Sequence, residues 1–165
     1  MRSGHVLNFD IEPIIAKRRP TGIKLQALVE EGKKVVVAVV VSDVKNAAGS
    51  PDDAQYAPWI DSIRSNTQSQ VESHLLKALG IYDNFAIVDR NRLNNLLDEF
   101  RLSQTGIVSD KLRVKIGELT GATYLIDASF FRFRTRGKVE DSEYRRLIEI
   151  ETGVVLAVDY EKRKK

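Results

Sequence analysis

The chain has 165 residues, 42% apolar and 30% charged, with no cysteine and a net charge of +3 from 26 basic and 23 acidic residues. That is the size and balance of one globular domain able to bury its own core, which excludes disorder over most of the length. Without cysteine there is no disulfide framework and no thiolate metal site, and so small an excess charge does not by itself point to a nucleic-acid partner.

No stretch approaches the ~20 apolar residues of a membrane helix. Met1–His5, "MRSGH", reads as vector-derived and is set apart from the fold. Residues 1–33 form an amino-terminal segment without a firm assignment. Val6–Ile15 alternates partly as a strand, Pro13 and Pro20 interrupt, and "KLQALVEEGKK" suggests a short helix ending near Gly32. "KKVVVAVVVSDV" then predicts a central strand buried on both faces, because its apolar run is continuous and β-branched. "KNAAGSPDDAQYAPW", Lys45–Trp59, is rich in turn formers and predicts a long polar loop.

A helix is expected over Trp59–Leu79, with Ile60, Ile63, Thr67, Val71, Leu75 and Leu79 on one stripe and His74 at its boundary. Asn84–Asp89 predicts a short strand. Asp89 or Asn91 can cap the following helix, whose inner stripe is Leu93, Leu96, Leu97 and Phe100, and "SQTG" breaks it. Ser109 or Asp110 caps a third helix with Leu112, Ile116 and Leu119 inward and Gly121 at its end.

"TYLIDASFFRFRTR" predicts a long strand with Phe131 and Phe133 in the core and Arg132, Arg134 and Arg136 on the outer face. "GKVEDSE" predicts a turn. Two strands follow around an "ETG" turn carrying Gly153, and 161–165 is a basic tail. The fold class is α/β (α+β): a single domain over 34–160, a mixed sheet of four to five strands, about three flanking helices and a closing antiparallel hairpin.

The sequence shows no catalytic constellation. It lacks a glycine-rich phosphate loop, a GxSxG elbow and a histidine pair at metal spacing. The neighbouring carboxylates Asp52–Asp53, Asp98–Glu99 and Glu140–Asp141 read as solvated, because acid–base work needs carboxylates held in unlike environments across a cleft. No catalytic, cofactor or metal residue is assigned, and the chain reads as a non-enzyme. The Phe/Arg alternation could serve a nucleic-acid platform. Its rings and guanidiniums are expected on opposite faces, however, so nucleic acid is the disfavoured alternative.

Four segments, in order, resemble the CsgG-type domain: "KKVVVAVVVSDVKNAAG"; the helix–strand–helix run around Asp89–Arg90 with Leu93, Leu96 and Leu97; "IGELTGATYLIDASF" with Gly121; and "RRLIEIETGVVLAVD" with Gly153. This family includes curli secretion lipoproteins and LpoB-like activators of cell-wall synthases, and its layout is similar to the amino-terminal domain of TolB. The resemblance implies a periplasmic, outer-membrane-associated assembly domain that docks proteins, including a homo-oligomeric ring, with synthase activation as the alternative role. The long membrane hairpins of the channel members have no counterpart in the short, charged "FRFRTRGKVEDSEYRRL". The faces expected to meet a partner are Asp52, Asp53, Tyr56 and Trp59, and Arg132, Arg134 and Arg136.

Overall fold

The computed structural model describes residues 19–47, 53–100 and 108–164. Their order is α1 (Pro20–Glu30), β1 (Val35–Ala47), α2 (Asp53–Leu79), β2 (Phe85–Ile87), α3 (Arg90–Phe100), α4 (Asp110–Thr120), β3 (Tyr124–Thr135), β4 (Lys138–Glu149) and β5 (Val155–Lys164). The five strands form one sheet in the order β2-β1-β3-β4-β5. β1 is parallel to both β2 and β3, while β3–β4 and β4–β5 are antiparallel. The mixed sheet, its parallel start and its antiparallel close are those expected from the strand and helix pattern.

Alternation along β1 sends its valines to two separate cores. Val35, Val37 and Val39 meet Leu25, Leu28 and Val29 of α1, Val71, Leu75 and Leu79 of α2, and Ile126 and Leu147 of the sheet. Ala38 and Val40 face Leu93 and Leu96 of α3, Leu112 and Ile116 of α4, and Leu125 and Ile148. The helices thus lie on both sides of a continuous apolar strand, as burial on two faces requires. A third cluster joins Val41, Val44, Ala128 and Phe130 to Ile60 and Ile63 of α2.

Pro20 opens α1 at a first-turn position, where its missing N–H costs nothing. Arg19 offers no side-chain cap; instead the Asp159 carboxylate of β5 accepts from the Thr21 backbone N–H (2.9 Å) and from the Thr21 hydroxyl (2.6 Å). A carboxylate from across the sheet therefore caps α1. Asp89 accepts from the Asn91 and Arg92 N–H groups. Ser109 caps α4 through the Leu112 N–H, and Gly121 ends α4 in the left-handed conformation.

Several expectations are corrected. α2 begins at Asp53, so residues 53–59 of the predicted loop are helix and 45–47 belong to β1; Pro58, the sixth residue of α2, removes one backbone hydrogen bond there. Leu119 is exposed because the last turn of α4 runs past the sheet, while Leu112 and Ile116 are buried. The β3–β4 turn is only Arg136 and Gly137, both at positive φ, as a two-residue hairpin demands; "VEDSE" belongs to β4. β5 continues through most of the basic end to Lys164. Phe100 of the predicted stripe has a side chain outside the described residues.

Replacing Asp159 with alanine leaves the Thr21 donors without their carboxylate in a buried setting. A loss of about 1–3 kcal/mol in unfolding free energy is expected by urea titration, and Asp159→Asn, which keeps one acceptor oxygen, is expected to lose less.

Candidate docking surface

β1 has thirteen residues, but β2 pairs only with Val35–Val37. The carbonyls beyond must find other donors. Gln68 of α2 donates to Val39 O at 3.0 Å, and Arg64, one turn earlier, donates to Val41 O. Glu72, one turn later, receives Arg90 of α3 through Nε at 3.1 Å and through Nη2. The i, i+4, i+8 row Arg64–Gln68–Glu72 therefore seals the strand edge and ties α2 to α3. Burial lowers the Arg64 pKa, opposed by Asp61 and Asp43.

Between α2 and α3, past the end of β2 and alongside β1 at Val41, lies a cleft of about 300 Å³ lined by Arg64, Gln68 and Arg90 with Asp61, Asn94 and Asp98. Its strong donors are already committed to backbone and to Glu72. The arrangement is a structural lock and carries no convergent acid–base pair. Among the described residues no group of three His, Asp or Glu is placed to hold a metal.

The signature residues are structural. Asp89 caps, Arg90 binds the buried Glu72, Leu93 and Leu96 are buried, and Leu97 packs against them. Gly153 has φ 77°, and a Cβ there would sit 2.0 Å from Arg113 Nη1. The turn needs glycine for its conformation, and a side chain there would also push the Arg113 guanidinium aside.

Of the predicted partner residues, Asp52 lies outside the described residues. Asp53, Tyr56 and Trp59 fall in the first turns of α2. One or two turns on, Ile60 and Ile63 pack against Phe130 of β3. Arg132 and Arg134 continue the Phe130 face, and Arg136 is in the adjoining turn. Phe130 is the residue the two sides share: Ile60 and Ile63 of α2 pack on it, and Arg132 lies over its ring.

Arg132 is no simple surface cation. It makes a fork to the buried Asp141, Nε to Oδ1 at 2.7 Å and Nη2 to Oδ2 at 3.0 Å, and that hydrogen bonding raises its pKa. Glu140 is also buried, 3.1 Å from Lys162. Glu140–Asp141 is thus a buried, paired stretch of β4, because β5 covers it. The Phe/Arg pattern is inverted relative to expectation. Phe130 is the buried ring, Arg132 lies above it, and Phe131 points to the opposite face, where its ring meets Tyr144 edge-on at 6.2 Å.

Sequence reading also missed a polar cluster between α1, α2 and the sheet. Arg145 and Glu143 are both buried and paired, and Arg19 binds Glu161. His74 of α2 borders this cluster with Nδ1 buried and unpartnered. Only the even spacing of charges in "EDSEYRR" could have signalled buried pairs, and the same spacing describes a solvated strand.

A helix–sheet–helix α/β sandwich closed by an antiparallel edge is the class this geometry defines. Residues 19–142 match the family model described as the curli production assembly/transport component CsgG. The chain belongs to the CsgG family. In fold it is similar to the C-terminal domain of LpoB from Salmonella enterica, with a TM-score of 0.54 and 14% identity over 86% of this chain and 96% of that one. It is also similar to E. coli LpoB solved by NMR, with a TM-score of 0.51 and 15% identity over 86% of this chain and 66% of that one. No curated protein sequence matches significantly.

Burial lowers the His74 pKa first, and Arg145, Arg19 and Lys77 lower it further against the opposing Glu143. The unfolded chain therefore binds a proton at higher pH than the folded one. The stability this contributes is present above the unfolded imidazole pKa of about 6.5 and is lost as pH falls below it. Thermal midpoints of His74→Gln are expected to fall less steeply than the parent's below that pH. For Arg132→Met, which strands the Asp141 carboxylate, about 1–3 kcal/mol of destabilisation is expected by denaturant titration; Arg134→Ala, at an exposed position, should stay within about 0.5 kcal/mol.

Proposed function

We propose that the chain is a non-catalytic docking domain of the bacterial envelope, periplasmic and associated with the outer membrane in its cellular form. The family match over residues 19–142 carries this reading. In support, the strong donors of the central cleft are consumed internally, and no acid–base pair converges there. The partner surface comprises the first turns of α2, with Asp53, Tyr56 and Trp59, and the hairpin carrying Arg132, Arg134 and Arg136. Asp52 immediately precedes α2 and is included.

Two roles fit such a surface. One is assembly of copies into a ring, as a subunit related to curli secretion components. The other is LpoB-like activation of a cell-wall synthase by docking. The two-residue β3–β4 turn favours the second, because it joins two twelve-residue strands with no inserted hairpin at that connection. The basic hairpin leaves nucleic acid as the weakest alternative, to be recognised by a steep fall of affinity with salt.

The test is charge reversal at the hairpin tip. Arg134→Glu with Arg136→Glu is expected to keep the thermal midpoint while reducing co-purification of the envelope partner, or self-association, at least tenfold. Recovery of the tagged full-length gene product in the cytosolic fraction would sink the reading, as would undiminished partner binding by the double variant.

A further inference from the structure

β5 is the last strand of the sheet: β4 hydrogen-bonds one side of it, and among the described residues no strand pairs with the other. Half of its backbone N–H and C=O groups therefore point outward, a template for another strand. α1 packs beside β5 on the face that holds Asp159 and Glu161. The opposite face is different. There α3 and α4 cover Leu125 and Ile148, and the described helices leave the upper part of the sheet bare.

The bare area is apolar and aromatic. Tyr160 is 54% exposed, Val158 46%, Val155 43% and Tyr144 41%. Tyr144 and Tyr160 are cross-strand partners with ring centroids 4.7 Å apart, and Phe131 adds a third ring at 6.2 Å. The row of rings runs across the strands and ends at the open edge. Contiguous exposed apolar surface beside an unpaired strand marks an interaction site.

The charges around it have one sense. Arg146 binds Asp127 and Lys162 binds Glu140; in each pair the carboxylate is buried and the cation is more than two-fifths exposed. Lys45, on β1, stands 5.9 Å from the centre of the Phe131 ring and pairs with the less exposed Asp43 at 3.6 Å. In each of these pairs the cation is the more exposed member. A second copy would bring its own cations to the same rim, whereas an acidic partner complements it.

We propose that the outer edge of β5, with the Tyr144–Tyr160 face, receives an extended acidic segment of a partner protein as an added strand. Backbone hydrogen bonds would supply the affinity. Apolar side chains at every second residue would lie on the rings, and carboxylates would reach Lys162 of β5 and Arg146 of β4. This surface is on the opposite face from Arg132 and does not depend on the envelope reading.

The experiment uses a soluble ten-residue peptide alternating glutamate with valine and tyrosine, added to the isotope-labelled chain and followed by NMR. Expected are saturable shifts in β5 amides and in the Tyr144 and Tyr160 ring signals. The apparent Kd should rise at least fivefold in Tyr160→Ser and in Lys162→Gln, both exposed positions on β5, and should rise with salt. A control peptide with lysine for glutamate should not bind. Equal binding of the lysine peptide, shifts confined elsewhere, or no binding at millimolar peptide overturns the proposal. So does concentration-dependent dimerisation through β5 without peptide, which makes a second copy the occupant. Stronger displacement of the peptide by a single-stranded thymidine oligonucleotide than by free glutamate peptide also overturns it, in favour of nucleic acid.

Discussion

A strand buried on both faces needs cover from two directions, and β1 imposes that requirement on everything around it. Val37 and Val39 point to one layer and Ala38 and Val40 to the other, all fully enclosed. α2 must therefore follow on one side, and α3 with α4 must return on the other. Parallel pairing of β1 with β2 and β3 follows from those crossovers. Each enclosed valine side chain contributes about 1.5–3 kcal/mol of transfer free energy relative to exposure. Among the described residues no surface ion pair competes with that.

The helical cover is shorter than the sheet. Below, the cores are apolar. Above, β1 and β3 run on to residues 47 and 135, and the small Val41–Val44–Ala128–Phe130 cluster is supplemented by polar pairs. Ser42 donates to Asp127, which also receives Arg146; Arg132 forks onto Asp141; Arg145 pairs with Glu143. Buried pairs of this kind contribute little net stability, because desolvation offsets attraction, but each is costly to break. They make the upper sheet specific in register without making it apolar.

Much of this was legible. The valine run, the 60–63–67–71–75–79 stripe, the Asp89 and Ser109 caps and Gly121 each have a local cause that sequence spacing displays. The start of α2 was not legible, because "SPDDAQYAPW" carries the composition of a loop and Pro58 hides a helix that tertiary packing of Ile60 and Ile63 supports. The facing of β3 was not legible either. Alternation separates Phe131 and Phe133 from Arg132 and Arg134 correctly, but it cannot say which set a helix will cover. The partner decides: Phe130 meets α2, so the arginines share the helix side and Phe131 does not. The candidate surface was only partly legible: residues 53–59 and 132–136 were each marked, but spacing does not show that Ile60, Ile63 and Arg132 all pack at Phe130.

The same error of facing explains why the rings were first assigned to the core. A β-strand with aromatics on one side and arginines on the other normally hides the aromatics. Here the arginine side has carboxylate partners waiting in β4, which neutralise it within the covered layer. On the aromatic side Phe131 meets Lys45 and Tyr144, and Tyr144 with Tyr160 extends the row outward instead of closing it. Pairing carboxylates with cations acts on both faces. On the α2 side Arg132–Asp141 lets charged residues sit beside Phe130, and on the other face the exposed ends of Arg146–Asp127 and Lys162–Glu140 border an apolar surface.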